Sequence, residues 1–134
     1  MIFGILALSF IVAVVVVAMI VRVASKFVAG PLVPWRTGIY WGVALFVVGG
    51  GGGALLNRLH LPHSTWLAVS SLGIVCLHVG LGGLFMVNQV RAADGSRLPW
   101  AWGAKITGLA GLALLVIGYA MGAAIGFFGL WGSV

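Results

Sequence analysis

Residues 65–87 read TWLAVSSLGIVCLHVGLGGLFMV, 23 residues with no charged side chain and a single histidine, His78. At ~1.5 Å per residue a helix of this length spans roughly 34 Å, enough to cross the ~30 Å hydrocarbon layer of a bilayer. Three other stretches have comparable length and apolarity: residues 2–24, 38–56 and 106–131. The expected fold is therefore an all-α integral membrane protein of four transmembrane helices, one membrane domain covering residues 1–134. Inside lipid every backbone polar group must be satisfied within the chain, so a run of this kind has no reasonable alternative to helix.

Composition agrees with that reading. Of 134 residues, 63% are hydrophobic and only 6% are charged, and the mean hydropathy is +1.25. Such a chain cannot cover itself in water with polar surface, which excludes an ordinary soluble domain. The formal charge of +6 and pI near 11.0 would suggest nucleic acid in a soluble protein. Here the cations stand at the ends of apolar runs, with no basic face interleaved with aromatics. They read as topology signals and lipid-headgroup contacts, and no nucleic-acid partner is expected. The one cysteine, Cys76, has no partner for an intramolecular disulfide. It lies two positions from His78, about 200° around a helix, so the two side chains leave opposite faces and cannot act as a pair.

From the N-terminus, Ile2–Ala24 lacks a positive leader and a small-residue cleavage site, so a removable signal peptide is not expected. The branched run Val14–Val17 suits a lipid-facing surface. Gly30–Thr37, GPLVPWRT, is a loop punctuated by Pro31 and Pro34, with Trp35 and Arg36 as interfacial anchors. The second span has Gly38 and Gly42 four apart and then five consecutive glycines, Gly49–Gly53. In water that run argues for a loop; in lipid it argues for a helix pressed against a neighbour, or for a break that lines a cavity. Asn57–Ser64 is a short connection turned by Pro62, with Ser64 or Thr65 as cap and Trp66 as anchor for the third helix. Asn88, Gln89 and Arg91 end that helix. Asp94-Gly95 is a turn pair containing the only acidic residue, and Pro99 fits the first turn of the fourth helix, beside Trp100 and Trp102. In that last helix Gly118, Gly122 and Gly126 recur every four residues, and Gly111 extends the strip. Together with Gly42, Gly49 and Gly53 these are the candidate helix-packing positions, because small residues let backbones approach closely.

His78 is the candidate site residue, since an ionisable group inside a membrane span is a functional candidate by default. Two roles suit it. One is an interhelical hydrogen bond. The other is axial ligation of haem or a (bacterio)chlorophyll-type pigment, with Ser71, Gly82 and Phe85 near its face and a glycine one turn away leaving room for a flat ring. No second imidazole lies at its depth. Met121 offers a thioether but sits roughly 7 Å off that depth at ~1.5 Å rise per residue. A pigment needing one histidine, or a cofactor completed by a partner, fits better than a haem held by this chain alone. His60 and His63, in LHLPH, lack the further ligands a metal site requires, so no metal is expected. No carboxylate pair or phosphate loop is present, and Ser70 and Ser71 share a helix with His78 without an orienting acid. No catalytic residues are assigned, and Tyr119 and Met121 read as core groups.

The expected function is a small non-catalytic accessory subunit of a larger membrane complex, for instance an electron-transfer or light-harvesting assembly. Its partners would be other integral membrane subunits and the lipid bilayer. A homo-oligomeric small channel or transporter is the alternative. Six of the seven cations (Arg22, Lys26, Arg36, Arg91, Arg97 and Lys105) flank the first and third connections, and only Arg58 lies in the second. By the positive-inside rule this places both termini outside, N-out and C-out, in a membrane of bacterial inner-membrane type. Cysteine probes at His63 and Ser133 should therefore react with an impermeant reagent on intact cells while one at Ser96 stays protected; the reverse pattern would contradict the orientation.

Overall fold

The computed structural model describes the backbone of residues 2–28 and 31–131, and side-chain surroundings for 3–28 and 31–126. Met1, Gly30 of the first loop, and the C-terminal positions Ser133 and Val134 lie outside the described residues. The described chain is helical: α1 is Ile2–Phe27, α2 Trp35–Asn57, α3 His63–Gln89 and α4 Trp100–Trp131. All four are long and apolar enough to cross a membrane.

The helices outrun the apolar stretches because proline, rather than the change in hydropathy, sets their starts. α2, α3 and α4 each begin at the residue after a proline, at Trp35, His63 and Trp100. Pro34 and Pro62 hold extended ψ of 148° and 145°, and the amides of Gly38 and Trp66 return to their carbonyls at 3.1 and 2.8 Å. Proline lacks the N–H that a helix start leaves unpaired, which suits this boundary. Two sequence expectations are corrected here. Ser64 and Thr65 lie inside the first turn of α3 rather than capping it, since Pro62 holds the cap position. Pro99 precedes the first helical residue of α4 rather than belonging to its first turn. At the same level the Trp66 indole N–H donates to Asn57 Oδ1 at 3.0 Å, tying the end of α2 to the start of α3.

α1 packs on α2 and α4, and α3 packs on α4. The α1–α2 contact runs backbone against backbone. A Cβ added at Gly38 would meet Ala18 Cα at 3.0 Å, and one at Gly42 would meet the Val14 carbonyl oxygen at 3.2 Å. The valine run is thus split rather than lipid-facing throughout: Val14 and Val17 are buried, while Val15 and Val16 face outward. Four residues in a row cannot share one face of a 3.6-residue helix.

Both loops at one end of the bundle are tied by polar contacts. In the first, Arg22 Nη1 donates to the Val33 carbonyl at 2.8 Å and its guanidinium lies 5.0 Å over the Trp35 ring. Ser25 Oγ donates to the Arg22 carbonyl at 2.7 Å and accepts the Val33 amide at 3.4 Å. In the second, Arg91 and Arg97 form an antiparallel bridge closed by a turn in which Gly95 takes φ +81°, a conformation that favours glycine. The Ser96 hydroxyl at 2.6 Å and the Ser96 amide at 2.9 Å hold the Asp94 carboxyl below its ordinary range. That tie is intact above the usual carboxylate pKa and is lost as pH falls through the lowered value. Phe27 and Val28 share a groove with Ala104 and Lys105, which puts the two loops at the same, basic end.

Burial follows the same polarity. Val21, Ser25, Val33, Met86, Ile106 and Thr107 are fully buried. No buried residue occurs in 3–13, 43–77 or 112–126. The bundle is closed at the basic end and open at the other. Tyr119 and Met121, expected in the core, stand 55% and 60% exposed on the open half.

Candidate functional site

His78 lies where the closed half meets the open half, and α3 changes its winding there. Residues His63–Leu77 and Gly83–Gln89 are α-helical, but His78–Gly82 form one wider π turn. Such turns insert a residue into the ladder and recur at functional positions. Here the turn coincides with close packing on α4. A Cβ at Gly82 would fall 2.6 Å from Thr107 Cβ, and one at Gly103 would fall 2.6 Å from the Gly83 carbonyl oxygen. The Thr107 hydroxyl, itself fully buried, shares its one proton between the Gly103 carbonyl at 2.8 Å and the His78 carbonyl. An α4 hydroxyl thus reaches the backbone of α3 where its winding widens.

The imidazole is 2% exposed. Its Nδ1 lies 2.8 Å from the Ile74 carbonyl oxygen, which can only accept, so Nδ1 carries the proton of the neutral ring. Nε2 is left as the acceptor; it is buried and meets no hydrogen-bond partner among the described residues. The Trp41 ring stands edge-on to His78, centroids 5.8 Å apart at 84°, and leans on Phe85 at 5.5 Å. The Trp41 and Trp102 indole nitrogens are likewise buried without a partner. On the other side the imidazole fills a notch in α4 at Gly111, where a Cβ would lie 2.7 Å from His78 Cγ.

The sequence-predicted positions separate into two groups. Gly42 and Gly111 are interior contacts, to Val14 and His78. Gly49, Gly53, Gly118, Gly122 and Gly126 have nothing among the described residues within 4 Å of an added Cβ, although the helix runs unbroken through all five glycines of 49–53. Ser71, expected near the face of His78, bonds Tyr119 Oη at 2.7 Å. Cys76 is exposed while His78 is buried, as opposite faces require. Among the described residues no three His, Cys, Asp or Glu side chains come together.

Sequence reasoning missed Trp41, Thr107 and the π turn. One signal was available: Gly103, Thr107 and Gly111 recur every four residues, the same small-residue spacing as the strip that was noticed further along. It is this earlier strip that faces Gly82, Gly83 and His78.

Chemically the arrangement anchors helices. The space beside Gly82, one turn from His78, is taken by Thr107, the notch at Gly111 is filled by the imidazole, and Nε2 is buried. Comparison with protein-family models, curated proteins and solved structures finds no match to this chain. Gly111→Ala should push the imidazole out of its notch and cost about 1–3 kcal/mol, as other overpacked interior positions do. Gly118→Ala should leave stability unchanged or raise it. Melting of the two variants in detergent checks this, and equal effects would contradict the notch.

Proposed function

We propose that the chain is a small, non-catalytic subunit of a larger membrane assembly, and that its open half is where helices of other integral subunits pack. The observation that carries this reading is the bare backbone of α2 and α4 at Gly49–Gly53, Gly118, Gly122 and Gly126, where an added Cβ would meet nothing among the described residues within 4 Å. Lipid tails are as apolar as any side chain, so association inside a bilayer depends on close packing, and glycine faces permit the closest. A helix that needed only to face lipid would gain conformational stability from alanine at these positions.

His78 then serves the assembly indirectly. It locks α3 to α4 and to Trp41 of α2, fixing the spacing of the helices that flank the open half. Within an electron-transfer or light-harvesting assembly the chain would supply scaffold, with the pigment or haem held elsewhere. With the orientation set by the cations, the open half is extracytoplasmic in a bacterial-type inner membrane. The exposed Ser71–Tyr119 hydroxyl pair on that half favours one second reading, a channel or transporter assembled from copies of this chain.

Gentle purification from native membranes followed by identification of co-migrating chains decides between them. Distinct integral subunits support the accessory reading, and copies of this chain alone support the channel. Gly122→Leu should reduce co-migration at least tenfold while leaving the melting of the isolated chain unchanged. Undiminished co-migration would contradict the proposed seat.

A further inference from the structure

A trough runs between α1 and α4 on the face of the bundle away from His78. Its upper part is bordered by Phe27, Val28, Lys105, Gly108 and Leu112. Its lower part is bordered by Met19, Ile20, Val23 and Ala113. Phe27 and Leu109 border both parts, so the trough is continuous from the level of Lys105 to that of Ala113. Eight residues of helix make that roughly 12 Å of apolar channel along the membrane normal. Its one charged bordering side chain, Lys105, is at the basic end, and the exposed Lys26 lies beside Phe27 in the last turn of α1. No acidic group borders it, since the only acid of the chain, Asp94, is held in the α3–α4 turn by Ser96.

We infer that this trough is a binding site for one anionic phospholipid, an acyl chain lying between α1 and α4 with the phosphate at Lys105. The occupant follows from shape and charge together. The trough is mostly apolar, its basic end lies at headgroup level, and the N-terminal end of α4 adds a positive dipole end on that side. A zwitterionic lipid would fill the channel equally well but would gain less at its mouth. The inference rests on the chain being membrane-spanning, and is independent of what packs on the open half.

The test is native mass spectrometry of the protein in detergent with equal amounts of dioleoyl phosphatidylglycerol and dioleoyl phosphatidylcholine. Wild type should retain a single phosphatidylglycerol in preference. Lys105→Gln, a surface change, should cut that preference about fivefold, the effect of one lysine near a negative surface. Leu109→Trp should fill the channel and displace both lipids, with helix content checked by circular dichroism. Equal retention of the two lipids, retention of neither, a preference that survives Lys105→Gln, or a lipid still held by a folded Leu109→Trp would each overturn the assignment.

Discussion

The closed half of this bundle depends on glycines at which neighbouring helices come close. Gly82, Gly83, Gly103 and Gly111 bring α3 and α4 together, and Gly38 and Gly42 bring α1 and α2 together, at distances where an added Cβ would fall 2.6–3.2 Å from the facing helix. In lipid this closeness replaces the hydrophobic effect as the source of helix association, through dispersion contacts that are individually small and collectively large. The larger side chains Met86, Ile106, Val21 and Val33 then fill the space the glycines define.

Polar groups are placed where that closeness can serve them. Ser25 and Arg22 satisfy the backbone of the α1–α2 loop, and Thr107 satisfies that of the π turn. An unpaired polar group is costly in the apolar interior, so these contacts fix the register of neighbouring helices as well as satisfying it. His78 sits at the limit of this region, away from the basic end. Beyond it α2 and α4 carry glycines at which an added Cβ would meet nothing among the described residues, and the side-chain hydrogen bonds between helices there are Trp66 to Asn57 and Ser71 to Tyr119.

The sequence made four helices legible because run length and lack of charge suffice for that in a bilayer, and Asp94-Gly95 announced its own turn. It could not say which faces meet. In a soluble helix an apolar stripe marks the core, whereas here lipid and core are equally apolar, so Val14 and Val15 look alike although one is buried and the other exposed. Small-residue spacing is the remaining guide, and α4 carries two such series. Residues 103, 107 and 111 turn out to meet α3, while an added Cβ at 118, 122 or 126 would meet nothing among the described residues. The choice between them depends on the π turn at His78, which no periodicity in α3 foretells.

The central claim is that one half of the bundle is complete by itself and the other half is completed by partners. Spin labels at Gly50 and Gly122, in a background with Cys76→Ser, report this through their collision rates with lipid-dissolved oxygen. The account predicts rates of a lipid-exposed helix face in the isolated chain, and a fall at both positions in the native assembly. Labels already shielded in the isolated chain, or unchanged on assembly, would contradict it.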